Sequence, residues 1–129
     1  MILIGLQGAG KTTLYHERFA ATHAHISLDV QTARDRERKL LEHCIAQGRS
    51  FVVDNTNLLR RDRALYIAPA KAAGYRVIGY FFTPIVRVCI GRNNHRKDKK
   101  PIAVPAILAA MKRLEPPQLD EGFDELIEL

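Results

Sequence analysis

The segment GLQGAGKT at positions 5–12 fits the pattern G-x-x-x-x-G-K-[ST], and an apolar run at 1–4 comes directly before it. Helical spacing follows, so the segment joins a predicted strand to a predicted helix. Its glycines let successive N–H groups point inward, and the positive end of the helix dipole adds to their attraction for an anion. The motif predicts a phosphate-binding loop in which Lys11 reaches the β and γ phosphates and Thr12 ligates Mg²⁺. The alternative, a glycine turn beside a surface lysine, is disfavoured by the flanking strand and helix.

Apolar runs of strand length alternate with helical segments along the chain. The apolar runs lie at 1–5, 25–28, 50–54, 76–82 and 124–129, and helical spacing occupies 11–22, 32–47 and 58–73. The second, third and fourth runs contain adjacent apolar residues, which is typical of parallel strands covered on both faces. The pattern predicts an α/β protein with right-handed crossovers, and the length of 129 residues predicts one domain over 1–129.

Glycine and proline mark the predicted helix ends. Gly48 and Gly74 stand where C-terminal caps are expected, and Thr83 with Pro84 forms an N-cap followed by proline at the first helical position. Pro69 is predicted to kink or shorten the third helix, because proline has no N–H group to donate.

The charge is distributed unevenly. The chain has 20 basic and 14 acidic side chains, but six of the acidic ones lie after residue 114, where no Lys or Arg occurs. Residues 1–114 therefore carry 20 basic and 8 acidic side chains, a balance of +12. This excess favours a polyanionic partner such as nucleotide phosphates or nucleic acid. The shares of hydrophobic (47%) and charged (26%) residues are those of globular proteins and exclude disordered or collagen-like chains.

Cysteine usage and the apolar runs favour a cytoplasmic protein. Cys44 and Cys89 have neither C-x-x-C spacing nor companions for a zinc site, and we interpret them as core residues in a reducing compartment. No basic leader precedes the first run. The apolar stretch at 77–86 has about half of the roughly 20 residues that a membrane helix needs. We therefore expect no membrane association.

Two aspartates follow predicted strands. Asp29 comes after the run at 25–28, and Asp54 ends the run at 50–54. Ligands of open parallel sheets bind beyond the carboxyl ends of the strands, so both aspartates are predicted to face the phosphate loop. Asp29 is the predicted general base for an attacking alcohol, with helix N-capping as the alternative. Asp54 has the form of a Walker B residue that approaches magnesium, with an Asx turn over 54–57 as the alternative.

A basic segment follows the fourth predicted strand. Arg92 and Arg96 lie four residues apart, on one face of a predicted helix, and are suited to close over triphosphate oxygens. Such an arginine stabilises charge on the moving phosphoryl group, and Gly91 is a candidate hinge. The alternative is a solvated basic helix end.

Two further groups of polar residues are interpreted as structural. His23 and His25 share one face of a predicted strand, but without a third ligand we expect no metal site. A run of mixed charges is interpreted as an exposed helix face with i, i+4 pairs. Its members are Arg34, Asp35, Arg36, Glu37, Arg38, Lys39 and Glu42.

These motifs resemble, over nearly the whole chain, the P-loop kinase domain of polynucleotide 5′-hydroxyl kinases, which phosphorylate the 5′-OH ends of DNA or RNA. The resemblance rests on GAGKT at 8–12, Asp29, VDNTN at 53–57, RN at 92–93 with Arg96, VP at 104–105 and EGF at 121–123. Family members often carry an arginine directly before the base, and some carry another shortly after it. This chain has Leu28, and then Gln31 and Thr32, at those places.

The resemblance implies a P-loop kinase fold with five parallel strands in the order 2-3-1-4-5, helices on both faces and a short basic lid at about 91–103. It implies an ATP-dependent phosphotransferase that uses Mg²⁺, in which Asp29 activates the 5′-hydroxyl and Asp54 orients either a lid arginine or the metal. The catalytic residues are then Asp29, Lys11 and Arg96. The implied ATP contacts are Gly8, Ala9, Gly10, Lys11, Thr12, Thr13, Arg92 and Arg96.

Three functions remain open at this point. The first is phosphorylation of a nucleic-acid 5′ end, and the second is phosphorylation of a small molecule such as a sugar acid, an antibiotic or a nucleoside. The third is a nucleotide-binding NTPase without kinase activity. The sequence lacks the N-K-x-D guanine motif and the L-S-G-G-Q signature, which argues against a GTPase and an ABC-type ATPase. The oligomeric state is not indicated.

Overall fold

Strands and helices alternate along the chain, as the apolar runs predict. The structure, a computed structural model, describes residues 1–6, 8–83 and 104–129. The strands are β1 (Ile2–Ile4), β2 (Ala24–Ile26), β3 (Phe51–Asp54), β4 (Ile78–Phe81) and β5 (Glu125–Glu128). The helices are α1 (Lys11–Arg18), α2 (Leu28–Gln31), α3 (Arg34–Gln47), α4 (Arg60–Ala72) and α5 (Val104–Arg113), with a 3₁₀ helix at Leu119–Glu121.

The five strands form one parallel sheet in the order β2-β3-β1-β4-β5, which confirms the predicted fold class and strand order. Strand β1 is central and pairs with β3 on one side and β4 on the other. Because all strands run the same way, their carboxyl ends share one edge of the sheet. The segments that follow β1, β2 and β3 therefore meet at that edge.

Apolar side chains cover both faces of the sheet. In β1, Ile2 and Ile4 pack in a cluster with residues of α3 and α4, whereas Leu3 points to the other face and packs with α1. All three are at most 2% exposed. This two-sided burial explains why the strand is an unbroken apolar run. Cys44 lies in the first cluster, fully buried as predicted, and Cys89 lies outside the described residues.

The predicted glycine caps are confirmed. Gly48 ends α3 with φ 64°, and Gly74 follows α4 with φ 83°, both in the left-handed region. Pro69 does not shorten α4, which continues to Ala72. The carbonyl that loses its hydrogen bond belongs to Leu65, which lies on the exposed side of the helix at 59% exposure. The predicted helix start at Pro84 lies outside the described residues. Among the helices that the structure describes, none has the length and apolar character to cross a bilayer.

Candidate active site

A cleft of about 870 Å³ opens at the carboxyl edge of the sheet, a volume within the usual range for ligand sites. The phosphate loop, the segment after β3 and helix α2 form its walls. Its lining includes Gly8, Ala9, Gly10, Lys11, Thr12, Thr13, His16, Glu17, Leu28, Asp29, Arg34, Asp54, Asn55, Thr56, Asn57 and Asp62. Most of the predicted site residues therefore lie on one cleft. The predicted lid arginines, Arg92 and Arg96, lie outside the described residues.

The phosphate loop requires its glycines for different reasons. Gly8 and Gly10 have φ angles of 77° and 100°, which side chains with a Cβ rarely adopt. Gly5 donates its N–H to the carbonyl of Thr56 at 3.0 Å. A Cβ added to Gly5 would lie 2.9 Å from the Cβ of Phe82. The loop is thus turned by two glycines and packed closely against its neighbours at a third.

The Lys11 ammonium lies at the centre of the loop. Its Nζ donates to the carbonyls of Gly5 at 2.9 Å and Leu6 at 2.7 Å, and the residue is 7% exposed. Lys11 is also the first residue of α1, where the N–H groups of the first turn have no partner within the helix. A positive side chain and a helix N-terminus therefore coincide, which is the arrangement that binds anions.

Asp54 is a buried carboxylate that connects the loop to β2. It ends β3 and is 6% exposed. Its Oδ2 accepts a hydrogen bond from the Thr12 hydroxyl at 2.8 Å and lies 2.8 Å from Nε2 of His25. Burial acts to raise the pKa of Asp54, but the hydrogen bonds with His25 and Thr12 and the charge of Lys11 outweigh it and hold that pKa below its usual value. The Asp54 carboxylate is therefore held in its charged form beside the Thr12 hydroxyl.

The Asx-turn interpretation of 54–57 is wrong for Asp54, whose carboxylate faces Thr12 and His25 instead. The amide of Asn57 stabilises the turn in its place, since its Nδ2 donates to the carbonyl of Leu3 at 2.8 Å. Asn57 itself has φ 49°, and asparagine tolerates this left-handed conformation better than most residues do.

His25 belongs to the site, although the sequence pattern grouped it with His23. Its ring stacks on Tyr15, with centroids 3.9 Å apart and planes 12° apart. His23 instead pairs with the hydroxyl of Thr22 at 2.7 Å. Within the described ranges, no group of three or more His, Cys, Asp or Glu residues is arranged to hold a metal ion. The available signal was a polar residue between the buried Ala24 and Ile26 of β2.

Asp29 lines the cleft but does not end a strand. Strand β2 stops at Ile26, and Asp29 is the second residue of α2. Ser27 caps this helix, because its Oγ accepts a hydrogen bond from the Asp29 N–H at 3.2 Å. The alternative interpretation of Asp29 as the N-cap is therefore wrong, and its exposed carboxylate stands on the cleft wall.

Glu37 contradicts the prediction of a fully exposed charged face on α3, since it is 3% exposed. Its Oε1 accepts from the Tyr66 hydroxyl and from Nη1 of Arg34 at 3.2 Å, and its Oε2 accepts from Nδ2 of Asn55 at 2.9 Å. Asn55 in turn accepts the N–H of Leu28 at 2.9 Å through its Oδ1. The remaining charged residues of the run are exposed as predicted: Arg34, Asp35, Arg36, Arg38, Lys39 and Glu42.

A buried ion pair holds the segment that follows β3. Arg63 is 0% exposed and pairs with Glu121 through Nε at 2.7 Å and Nη2 at 3.0 Å. Its Nη1 donates to the carbonyls of Asn57, Leu58 and Glu115 at 2.9, 3.2 and 3.0 Å. One guanidinium thereby fixes the floor of the cleft to the chain that leaves α5. Nothing in the sequence pattern distinguished Arg63 from its exposed neighbours in α4.

Residues 23–117 match a family described as an AAA domain. The chain belongs to this family. The match to the AAA domain contains Asp29, Asp54 and the buried Glu37, and the phosphate loop at 5–12 comes before it.

This AAA-domain chain is similar to three solved structures, and each match covers 99% of the residues of the present chain. A gluconokinase from Sinorhizobium meliloti has 17% identity, a TM-score of 0.66 and 79% of its chain covered. Kti12 from Chaetomium thermophilum, in complex with ADP-AlF₃, has 18% identity and a TM-score of 0.67, with 87% of its chain covered. A sugar kinase from Janibacter sp. has 20% identity and a TM-score of 0.71, with 82% of its chain covered. The chain thus shares the fold of these three proteins, and at these identities the fold is all that the similarity shows.

Proposed function

We propose that the chain transfers the γ-phosphoryl group of ATP to a hydroxyl, in the first place the 5′-OH end of DNA or RNA. The observation that carries this proposal is the content of one cleft. Lys11 and Thr12 stand on the phosphate loop, Asp54 is bound to Thr12, and Asp29 lies on the wall of the same cleft.

The side of the cleft formed by the phosphate loop and Asp54, here called the donor half, is suited to bind ATP with a divalent cation. The loop amides, Lys11 and the start of α1 can neutralise a polyphosphate. The Thr12 hydroxyl and the Asp54 carboxylate supply the hard oxygen ligands that Mg²⁺ prefers. When bound there, Mg²⁺ would offset the negative charge of the phosphates. We assign Gly8, Ala9, Gly10 and Thr13 to the same donor half.

The side of the cleft formed by α2 and the start of α3, here called the acceptor half, contains the proposed base, Asp29. The acceptor oxygen forms a bond to the γ-phosphorus, the bond to the ADP oxygen breaks, and the hydroxyl proton passes to the Asp29 carboxylate. Asp54 is not suited to this task, because Thr12 and His25 already occupy its Oδ2. The two carboxylates of the cleft thus take different roles.

Arg34 supports an acceptor that carries negative charge. It lines the cleft, and its Nη1 is held by Glu37 and by the hydroxyl of Tyr66 at 3.1 Å. In the part of the chain that the structure describes, its Nε and Nη2 donate no hydrogen bond, so they can bind an anion in bidentate fashion. Arg34 thereby supplies a guanidinium from α3 in place of the arginines that family members carry closer to the base.

Arg92 and Arg96 complete the proposal as lid residues over the donor phosphates. They lie outside the described residues, and their assignment rests on their spacing and on the resemblance. We expect Arg96→Ala to lower the rate constant of transfer more than it weakens ATP binding, because the arginine acts on charge that develops in the transition state. Equal losses in both quantities would instead indicate a binding role alone.

A small anionic alcohol is the second candidate acceptor. Two of the similar structures are a gluconokinase and a sugar kinase, and Arg34 can pair with a carboxylate as well as with a phosphate. An NTPase without an acceptor is the third candidate, and for it Asp29 would have no function.

Transfer of label from γ-labelled ATP separates these candidates. The acceptors are 5′-OH DNA and RNA oligonucleotides, the same oligonucleotides with a 5′-phosphate, gluconate and a nucleoside. We expect labelled 5′-OH oligonucleotides and no label on the 5′-phosphorylated ones. Label on gluconate alone would establish the second candidate, and release of inorganic phosphate without any labelled acceptor would establish the third.

A further inference from the structure

A buried carboxylate with no part in the proposed phosphoryl transfer lies behind the acceptor half of the cleft. Glu37 is 3% exposed, and within the described residues its carboxylate accepts hydrogen bonds from the side chains of Arg34, Asn55 and Tyr66. A buried carboxylate is costly unless every lone pair finds a donor. This cost is unnecessary for packing alone, because an apolar side chain at this position would continue the buried stripe of Leu41 and Cys44.

All three neighbours present donors to Glu37. Burial and the Glu37 carboxylate raise the pKa of Tyr66, so its hydroxyl keeps the proton that it donates. Nη1 of Arg34 is a permanent donor. Asn55 donates through Nδ2 to Oε2 of Glu37, because its Oδ1 is occupied by the N–H of Leu28 at 2.9 Å.

This set of contacts fixes the orientation of the Asn55 amide. Turning the amide would place Nδ2 against the N–H of Leu28 and Oδ1 against the Glu37 carboxylate, which opposes two donors and two acceptors. Leu28 is the first residue of α2, and Asp29 is the second. The carboxylate therefore helps, through one amide, to hold the first residue of the helix that carries Asp29, alongside the cap that Ser27 supplies.

We infer that Glu37 is a positioning residue for the acceptor half of the cleft: it holds α2 through Asn55 and holds Arg34 directly. The inference rests on the proposed function, since it assumes that Asp29 and Arg34 meet the acceptor. Loss of Glu37 lowers the rate of phosphoryl transfer, because a shift of about 1 Å at a reacting group can cost on the order of 100-fold in rate. ATP affinity stays nearly unchanged, because the contacts described for Glu37 do not include the phosphate loop.

Two variants test the inference. In Glu37→Gln, either orientation of the new amide sets two donors against each other, at Asn55 or at Arg34. In the double variant Glu37→Gln with Asn55→Asp, the new carboxylate at position 55 accepts from both the Leu28 N–H and the new glutamine amide. The double variant thus restores these hydrogen bonds and the net charge.

The transfer rate under single-turnover conditions is compared with ATP affinity and melting temperature. We expect Glu37→Gln to transfer on the order of 10- to 100-fold more slowly, and the double variant to recover most of that loss. Glu42→Gln, on the exposed face of α3, is the matched control and keeps the wild-type rate. An unchanged rate in Glu37→Gln, or a loss that the double variant does not recover, overturns the inference.

Amide hydrogen exchange of Leu28 provides a readout that needs no acceptor. Glu37→Gln should speed exchange at this N–H, and the double variant should slow it again. Protection of Leu28 that is unaffected by Glu37→Gln overturns the inference even if the kinase assay succeeds. Conversely, if wild-type protein labels none of the acceptors while Leu28 exchange responds as expected, the proposed function fails and the positioning of α2 by Glu37 stands.

Discussion

The hydroxyl of Thr12 donates a hydrogen bond to Oδ2 of Asp54 at 2.8 Å, across 42 positions in the chain. The bond joins the first turn of α1 to the end of β3, and it forms because β1, which leads into the phosphate loop, is the parallel neighbour of β3. It commits the buried carboxylate to the phosphate loop. In the proposed function, the exposed Asp29 is then the carboxylate that meets the acceptor.

Replacement of Asp29 by Asn tests this division of roles. The proton acceptor is lost while the loop is untouched, so we expect transfer to fall by about 100-fold or more with ATP binding nearly intact. Single-turnover labelling and an ATP titration measure the two quantities. Asp35→Asn, on the exposed face of α3, is the matched control. A variant at position 29 that turns over normally would remove Asp29 as the base.

Lys11→Ala should act on ATP itself. The ammonium is placed to neutralise phosphate oxygens, and a charge-assisted hydrogen bond contributes about 1.5–3 kcal/mol, which corresponds to at least about a tenfold loss of affinity. Equilibrium titration with ATP and magnesium is the measurement. Lys39→Ala removes an equal charge from the exposed face of α3 and should bind as wild type does. Equal affinities of the two variants would contradict the assignment.

Arg34→Ala should discriminate between charged and neutral acceptors. We expect the KM of an anionic acceptor to rise by about tenfold or more, since a charged hydrogen bond is lost, while an uncharged alcohol is unaffected. The salt dependence of kcat/KM should also weaken. Arg36→Ala is the control, because Arg36 contacts Thr32 at 3.2 Å and does not line the cleft. The same loss with both acceptors would indicate a structural role.

The stability of the protein should depend on pH through Asp54. Its pKa is lowered on folding from 3.8, so the charged carboxylate stabilises the fold above that value, and this contribution disappears as the pH falls through the lower folded pKa. We expect Asp54→Asn to reduce the free energy of unfolding at pH 7 and to differ less from wild type as the solution is acidified below about pH 4. Urea denaturation over this range measures both. A difference that stays constant with pH would contradict the assignment.

Arg63→Met should be the most destabilising of these changes. It leaves the buried Glu121 carboxylate without its partner, which typically costs about 3–5 kcal/mol. Arg60→Met removes an arginine of the same helix whose pair with Asp120 is exposed, and we expect a loss of about 0–1 kcal/mol. Urea midpoints compare the two. Similar midpoints would show that the buried pair contributes little.

The alternation of strands and helices and the position of the phosphate loop follow from local sequence signals, whereas the strand order was implied by the resemblance. The loop at 5–12 needs only its own glycines and the strand and helix beside it, and Asp54 follows an apolar run directly. The glycine caps at Gly48 and Gly74 are equally local. These features were predicted because neighbours in the sequence determine them.

The positions of Glu37 and His25, which lie behind the cleft, depend on contacts between segments that are distant in the sequence. Glu37 looks like its exposed neighbours, and only its spacing of four and seven residues from the buried Leu41 and Cys44 distinguishes it. His25 pairs with Asp54, 29 residues away. Pairings of this kind arise from the order of the strands, which apolar periodicity does not reveal.

The central position of β1 in the sheet separates the phosphate loop from the segment that carries Asp29 and Arg34. The phosphate loop and Asp54 lie at the ends of two inner strands, β1 and β3. Asp29 and Arg34 instead lie after the edge strand β2, in α2 and at the start of α3. Segments at a sheet edge can be rebuilt with little disturbance to the middle. Under the proposed function, a change of acceptor preference would therefore need substitutions only in residues 27–34 and would leave the phosphate loop as it is.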